Sequence, residues 1–325
     1  MIHMAYATAQ PTRKESIPIV DLSELRDNRN PDKVAAALHS ASQNLGFIYV
    51  SNHGIPTQTI DKARNCAFQF FRQSDEEKTD VLVSTKHRGW LKPGASKMDD
   101  NANPDLKESF IWGLQDSQGY TVEDHPLRGA NQWPVSLPSM ESAAMAYFHA
   151  AHDVAFLLMR GFARGLNLDE HFFLQTCSLP LSRASFVYYP PQPESYGEHQ
   201  FGVAPHTDFG VLTVLCQDDT GGLQIQDSDG RWIHAPPIDG SLIVNVGDLL
   251  CRWTGGAYKS TPHRVVNTSG KERLSLVLAF DPNPETLIDA NAIPGLSSDD
   301  PPINCGDYLQ WRFAKAFSYR KQSVK

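Results

Sequence analysis

Residues 203–217 read VAPHTDFGVLTVLCQ, an apolar and β-branched stretch with one histidine and one aspartate near its start. Similar short β-rich runs surround it, separated by turn residues: 184–191 (ASFVYYPP), 222–226 (GLQIQ), 231–237 (RWIHAPP), 241–250 (SLIVNVGDLL), 263–267 (HRVVN) and 273–280 (RLSLVLAF). Asp229-Gly230, between two of these runs, is a strong hairpin signal. Many short strands at close spacing predict a β-barrel or jelly roll in the second half of the chain.

The first half of the chain is predicted to be mainly helical. Apolar residues recur at helical spacing in 32–46 and 57–73, with a buried strand at 47–52 between them. Residues 139–166 are apolar on most faces, which predicts a helix buried along the back of a sheet. Residues 307–319 return to helical periodicity. The predicted fold class is therefore mainly β with flanking α-helices.

The composition disfavours several classes of protein. The chain has 29 basic and 37 acidic residues, and its net charge of −8 disfavours binding to nucleic acid or to an anionic membrane. No stretch approaches the roughly 18 apolar residues of a membrane helix. Residues 1–18 lack the apolar region of a signal peptide and are predicted to form a loosely attached arm. Five scattered cysteines without a C-x-x-C spacing argue against disulfides and structural zinc, and favour a cytoplasmic protein.

Three side chains form a candidate metal site: His206 and Asp208 in the opening stretch, and His263 in STPHRVV. Residues two apart in a strand point to the same face, so His206 and Asp208 can reach one metal if their segment is extended. His263 follows several predicted strands later, and a barrel would bring it beside the first pair. Two imidazoles and one carboxylate suit non-haem Fe(II) and leave coordination positions open for reactants.

Arg273 and Ser275 share one face of the predicted strand 273–280. The strand is apolar on its other face as well, so it should be covered on both sides, and Arg273 should be buried. A buried arginine needs an anionic partner, and this strand contains no acid. The fork of the guanidinium matches a carboxylate, which predicts a small dicarboxylate as the partner. A structural ion pair within the protein is the alternative.

The ordered motifs resemble those of the Fe(II)/2-oxoglutarate-dependent dioxygenases, in the branch that includes isopenicillin N synthase and the plant flavonoid and gibberellin oxidases. They span about residues 17 to 285: IPIVDLS, GFIYVSNHGIP, KESFIWG, YYPP, HTDFGVLTVLCQD, GGLQI, VNVGDLLCRWTGG, YKSTPHRVV and RLSLVLAFDPN. The resemblance implies a double-stranded β-helix, or jelly-roll, core with an N-terminal helical extension. It divides one compact unit into an N-terminal region (17–125), the jelly-roll core (180–285) and a C-terminal helix packed on that core (286–325).

The resemblance also implies roles for individual residues. Three are the expected iron ligands: His206, Asp208 and His263. Arg273 and Ser275 are expected to bind the distal carboxylate of 2-oxoglutarate, and Tyr189 matches a tyrosine that often hydrogen-bonds that carboxylate. Plant members often carry Asn where this chain has Val187, so one polar contact to the cosubstrate is missing here.

The implied activity is that of an oxidoreductase that uses Fe(II), 2-oxoglutarate and O2, with ascorbate as a reductant. Such a dioxygenase hydroxylates or desaturates a small molecule while 2-oxoglutarate is decarboxylated to succinate and CO2. Two alternatives stay open. One is an oxidase of the same fold that does not use 2-oxoglutarate, as in isopenicillin N synthase. The other is a non-catalytic protein that binds a small molecule.

Substrate specificity is expected to depend on residues 85–106, predicted to be a long loop, on residues 191–205 and on the C-terminal helix. The side chains in these segments are mixed: Trp90, Lys92, Lys97, Phe201, Trp311 and Arg312. The mixture fits a polar aromatic substrate, such as a nucleobase or a phenolic metabolite, and equally an amino-acid derivative. Lys107 and Glu108 form either a local salt bridge, which is the favoured interpretation, or part of the mouth of the active site. Trp253 either lines the pocket or closes a strand.

Overall fold

The computed structural model describes residues 9–10, 17–98, 102–116, 118–192, 199–267 and 269–320. The predicted N-terminal arm lies outside these residues except for positions 9–10 and 17–18. The strands are β1 (Ile19–Asp21), β2 (Phe47–Ser51), β3 (Gly89–Leu91), β4 (Glu108–Gly113), β5 (Arg183–Tyr189), β6 (Val203–His206), β7 (Leu212–Gln217), β8 (Leu223–Gln226), β9 (Trp232–His234), β10 (Ser241–Val246), β11 (His263–Val265), β12 (Arg273–Phe280), β13 (Leu287–Ile288) and β14 (Ile303–Asn304). The α-helices are α1 (Ser23–Arg26), α2 (Pro31–Asn44), α3 (Thr57–Phe71), α4 (Asp75–Thr79), α5 (Ser139–Gly165), α6 (Asp248–Trp253) and α7 (Cys305–Ala316).

Two opposed sheets form the core. The larger sheet has the order β1-β2-β10-β7-β12-β5-β4-β3, and the smaller has the order β6-β11-β8-β9. Neighbouring strands pair antiparallel except for β1 and β2. Apolar side chains of both sheets, including Phe47, Tyr49, Leu223 and Val265, pack in one buried cluster. The predicted fold class, mainly β with a jelly-roll core and flanking helices, is confirmed.

Alternation along β12 separates a face that packs on helices from a face that lines a cavity. Leu274, Leu276 and Leu278 belong to a buried cluster that includes most of α5. The hydroxyl of Tyr147 in α5 donates to the carbonyl of Leu276 at 3.0 Å. Arg273 and the residues that alternate with these leucines face the space between the two sheets. The predicted buried helix behind the sheet is therefore confirmed. It packs against the strand that carries Arg273.

The structure also bears out two local predictions, a glycine at the end of a helix and a hairpin turn. Helix α2 ends before Gly46, whose φ of 71° is a conformation that favours glycine, and a Cβ there would lie 2.0 Å from the carbonyl oxygen of Lys259. The turn through Asp229-Gly230 joins β8 to β9 as a hairpin. The five cysteines are free thiols, and Cys251 is the one that is not fully buried. None of the described helices is long and apolar enough to cross a membrane.

Two predictions about local structure were wrong. The first half is mainly helical, as predicted, and β2 is the predicted buried strand, while β1, β3 and β4 are further strands of the larger sheet. The span 85–106 is not all loop, because it contains β3, in which Trp90 is fully buried. This strand is too short for an alternation of apolar and polar residues to show in the sequence. The run 241–250 is not one strand, since β10 ends at Val246 and α6 begins at Asp248 after Gly247.

The C-terminal segment packs on the core through the chain that precedes β4. The amide of Lys97 donates to the carbonyl of Ala316 at 3.0 Å, and Ser96 pairs with Phe317 in an isolated antiparallel bridge. The guanidinium of Arg320 donates to the carbonyl of Thr85 at 2.9 Å. These contacts bring residues 313–317 to the mouth of the space between the sheets.

His152 of α5 lies among Phe148, Phe156 and Phe280, behind the larger sheet. Its Nε2 is buried and has no hydrogen-bond partner among the described residues. Burial lowers the pKa of His152 to about 4, whereas the usual value is 6.5. The unfolded chain therefore takes up this proton at a higher pH than the folded protein, and stability falls as pH drops from 6.5 towards 4.

We expect His152→Leu to reduce the loss of stability between pH 7 and pH 5. At 1.36 kcal/mol per pKa unit, His152 accounts for about 2 kcal/mol of that loss. Urea unfolding of both proteins at the two pH values measures the effect, with His171→Leu as a control at an exposed histidine. Equal pH dependence in wild type and His152→Leu would show that His152 does not titrate as its burial implies.

Candidate active site

The three predicted metal ligands come together at one end of the smaller sheet. His206 ends β6 and His263 begins β11, directly opposite each other in the antiparallel pair, with ring centroids 4.3 Å apart. Asp208 lies two residues beyond the end of β6, in the connection to β7, so the expected extended strand stops short of it. Its Oδ1 is 3.7 Å from Nε2 of each histidine. Ligand atoms about 2 Å from one metal ion are separated by up to about 4 Å, so this donor set fits a single ion.

Backbone carbonyls orient both imidazoles. Nδ1 of His206 is 2.8 Å from the carbonyl oxygen of Ala204, and Nδ1 of His263 is 3.2 Å from that of Thr261. A carbonyl can only accept, so each Nδ1 carries the hydrogen and each Nε2 keeps its lone pair for a metal. Burial, reinforced by the neighbouring His263, lowers the pKa of His206 to about 3, which keeps this imidazole neutral.

Asp208 is held by two side chains that the sequence did not single out. Its Oδ2 accepts hydrogen bonds from Thr213 Oγ1 at 2.6 Å and from Asn245 Nδ2 at 2.7 Å, which leaves Oδ1 directed at the histidines. Burial by itself would raise the pKa of Asp208, but the two imidazoles and these two hydrogen bonds outweigh it and lower the pKa to about 2. The carboxylate is therefore ionised and fixed in orientation. Thr213 and Asn245 are opposite each other on β7 and β10, as polar residues in otherwise apolar strands.

Arg273 is a buried cation with an unused donor. Its side chain is 1% exposed, its Nε donates to the carbonyl of Gly221 at 2.5 Å, and its Nη1 donates to Ser275 Oγ at 2.8 Å. Within the described ranges, Nη2 has no hydrogen-bond partner and no acid forms an ion pair with this arginine. The structural ion pair considered above is therefore absent from the described residues. A buried donor without a partner is costly, and a ligand that enters the cavity can supply the missing acceptor.

Tyr189 lies opposite Arg273 in the pairing of β5 with β12, and the guanidinium stands 4.7 Å from the centroid of its ring. Burial raises the pKa of Tyr189 to about 12, so its hydroxyl stays neutral and can donate a hydrogen bond. Val187, two residues earlier on the same face, contributes an apolar side chain. The structure thus brings Arg273, Ser275 and Tyr189 together on neighbouring strands.

The triad and the arginine cluster line one cavity between the two sheets. The other lining side chains that matter here are the apolar Leu91, Met98, Ile111, Phe313 and Phe317, and the polar or charged His87, Lys107 and Arg183. Residues 85–106 and the C-terminal segment therefore contribute to the walls, as expected, but through residues that had not been chosen. Residues 191–205 contribute Val203, and positions 193–198 lie outside the described residues.

None of the six side chains chosen as substrate-facing lines this cavity. Trp90 points behind the sheet and donates from Nε1 to Glu108, while Trp311 is half exposed on α7. Of the two interpretations of Lys107 and Glu108, the favoured salt bridge is wrong, whereas a place for Lys107 beside the active site agrees with the structure. Glu108 pairs with Lys78 at 2.9 Å, and alternation turns Lys107 to the opposite side, into the cavity.

Trp253 is the last residue of α6 and packs on Phe173, with centroids 5.0 Å apart. It neither lines the cavity nor closes a strand.

Comparisons with known proteins agree with this arrangement. Residues 17–136 match the family described as non-haem dioxygenase in morphine synthesis N-terminal, and residues 181–282 match the 2OG-Fe(II) oxygenase superfamily. The chain is 32% identical to the 2-oxoglutarate-Fe(II) type oxidoreductase ppzC of Metarhizium rileyi, over 80% of this chain and 76% of the relative. It is also 32% identical to the validamycin A dioxygenase of Streptomyces hygroscopicus subsp. limoneus, over 90% of this chain and 85% of the relative.

Solved structures are similar over nearly the whole chain. A full-length Neurospora crassa protein in complex with alpha-KG and thymine superposes with a TM-score of 0.81 at 28% identity, covering 94% of this chain and 99% of that one. The structure of JOX2 in complex with 2OG, Fe and JA gives a TM-score of 0.77 at 25% identity, covering 98% and 91%. The chain belongs to the 2OG-Fe(II) oxygenase superfamily, and it is an oxygenase that uses Fe(II), 2-oxoglutarate and O2.

Proposed function

We propose that His206, Asp208 and His263 hold the iron, and that Arg273 holds the distal carboxylate of 2-oxoglutarate. The observation that carries this assignment is the buried Nη2 of Arg273, which lacks a partner among the described residues and belongs to a side chain that lines the same cavity as the triad. A carboxylate would satisfy Nη2 and neutralise the guanidinium. Ser275 and Tyr189 complete this carboxylate site. Ser275 accepts a hydrogen bond from Nη1 of Arg273, and the neutral hydroxyl of Tyr189 can donate one to the carboxylate.

Iron and 2-oxoglutarate, when bound, supply the activation of O2 and the oxidising power, with succinate and CO2 as products. The protein contributes positions and charges. Asn245 and Thr213 keep Asp208 ionised and aimed at the metal, so the site is formed before the metal arrives. The carbonyl of Gly221 and the hydroxyl of Ser275 lock Arg273, which sets the direction in which the cosubstrate extends towards the triad. The apolar wall excludes water from the C–H bond that reacts.

The substrate on this proposal is a small molecule, and hydroxylation is the default outcome, with desaturation as the variant. Relatives support this size class, since thymine and JA accompany the two solved structures and validamycin A appears in a relative's name. The oxidase alternative is less favoured because the matching family, a similar relative and the similar solved structures are all described by 2-oxoglutarate. We also propose that the three regions 17–125, 180–285 and 286–325 act as one unit, that ascorbate serves as reductant, and that the protein works in the cytoplasm.

Calorimetry tests the cosubstrate assignment without turnover. 2-Oxoglutarate is titrated anaerobically into the full chain loaded with Mn(II), and into the same protein without metal. We expect micromolar to submillimolar binding that is stronger with the metal, followed by succinate formation when Fe(II) and O2 replace Mn(II). Metal binding without any binding of 2-oxoglutarate would overturn the assignment and favour the oxidase.

A further inference from the structure

Lys107 brings a positive charge into the cavity that no described residue pairs. It immediately precedes β4, and together with Ser109 and Ile111 it lines the cavity, whereas Glu108 faces the helices on the other side. Within the described part of the chain, no hydrogen bond or ion pair involves the Lys107 ammonium. Asp105 and Asp208 act on it electrostatically, yet neither comes within the 4.0 Å of an ion pair. Burial accordingly lowers the pKa of Lys107.

The other charges that line the cavity are compensated. Arg183 donates from Nη1 to Asp281 Oδ2 at 2.6 Å, and Asp281 is completely buried beneath it. His87 stays neutral because burial and the nearby cations Arg183 and Arg88 hold its pKa well below the usual value. Fe(II), the Asp208 carboxylate, the dianion of 2-oxoglutarate and Arg273 together sum to zero charge. Among the described side chains that line the cavity, this leaves the charge of Lys107. The nearby carboxylate of Asp105 attracts Lys107 but lies beyond ion-pair distance, and it accepts hydrogen bonds from Ser96 and from the amide of Ala204 instead.

Lys107 is half-buried, and an ammonium without an ion-pair partner in a partly desolvated site is stabilised by an anion that enters beside it. The remaining walls are apolar, from Leu91 and Ile111 on one side to Phe313 and Phe317 on the other. We propose that Lys107 binds a carboxylate of the substrate, and that the substrate is a small monocarboxylic acid with an apolar body. This inference rests on the proposed function, because the charge balance assumes iron and 2-oxoglutarate in their assigned places.

The test compares acids with their neutral amides. Phenylacetate, octanoate, phenylacetamide and octanamide are titrated by calorimetry into the full chain loaded with Mn(II) and 2-oxoglutarate. We expect at least one acid to bind at least about tenfold more tightly than its amide, because the amide lacks the charge that pairs with the ammonium. Lys107→Met should abolish this preference, and Lys107→Arg should restore part of it. Lys62→Met, which removes the same charge from an exposed position of α3, should leave the preference intact.

Binding of 2-oxoglutarate by the same preparations separates the possible failures. The inference is overturned if neither acid binds, if the amides bind as well as the acids, or if Lys107→Met keeps the preference. It is also overturned if Lys107→Met weakens 2-oxoglutarate as much as the acid, since Lys107 would then serve the cosubstrate. If wild type does not bind 2-oxoglutarate at all, the proposed function fails, and this inference falls with it. If 2-oxoglutarate binds normally and the acids do not, only this inference fails.

Discussion

Arg273→Met is expected to weaken the binding of 2-oxoglutarate roughly 100-fold while the affinity for Mn(II) changes by less than about threefold. The substitution removes a charge-assisted contact of about 3 kcal/mol, and each 1.4 kcal/mol is a factor of ten in affinity. The metal ligands lie on β6, β11 and the connection after β6, so they do not depend on the arginine for position. Calorimetry of the metal first, and then of 2-oxoglutarate with the metal bound, measures both affinities on one sample.

The same variant should not be less stable than wild type when no ligand is present. Arg273 is a buried cation without an acid among the described residues, and replacing such a group by an apolar side chain of similar length is often neutral or stabilising. Thermal unfolding of the metal-free proteins measures this, with Arg231→Met as a control that removes an exposed arginine paired with Asp227. If Arg273→Met lost metal affinity and stability together with 2-oxoglutarate, the arginine would be a structural residue and the carboxylate site would be wrong.

The sequence predicted the parts of the site whose chemistry is visible in the residue types. Two histidines and an aspartate are rare inside apolar runs, and an arginine in a strand that is apolar on both faces needs a special partner. Tyr189 came from the resemblance alone. Asn245 and Thr213 could not be chosen in advance, because a single polar residue in a buried strand is more often satisfied by the backbone than by a ligand. Only the pairing of β7 with β10 places the two beside Asp208.

It was harder to predict which face of each strand or helix points into the cavity. All six residues of β4 are buried, so no polar alternation reveals which face is which, and the sequence could not decide between a salt bridge of Lys107 with Glu108 and a place for Lys107 beside the active site. On α7 the cavity-facing residue is Phe313 rather than its neighbours Trp311 and Arg312, since the helix turns by about 100° per residue. That rotation depends on where α7 packs, which is a long-range property. The sequence could name the segments near the substrate but not the side chains.

Asp208→Ala is expected to reduce the affinity for Mn(II) by more than 100-fold, with a matching loss of succinate formation in the iron-loaded enzyme. Asp208 supplies the only negative charge of the triad, and its Oδ1 lies 3.7 Å from both imidazole nitrogens. Losing an outer partner of a metal ligand typically costs 10- to 100-fold, so losing the ligand itself should cost more. Calorimetry with Mn(II) at pH 7.5 measures the affinity, and circular dichroism checks that the variant is folded.

Asn245→Leu is the matched variant for Asp208→Ala, because it removes a hydrogen bond to Oδ2 of Asp208 and leaves the carboxylate in place. Without that bond the pKa of Asp208 should rise and its orientation should loosen, since Thr213 alone remains to hold Oδ2. The expected loss of metal affinity is therefore intermediate, between 10- and 100-fold. If Asp208 is a metal ligand and Asn245 orients it, the affinity for Mn(II) should be highest in wild type, lower in Asn245→Leu and lowest in Asp208→Ala. Equal losses in both variants would mean that the two substitutions disturb the strands rather than the metal, because a carboxylate that binds the ion directly cannot matter as little as the amide that holds it.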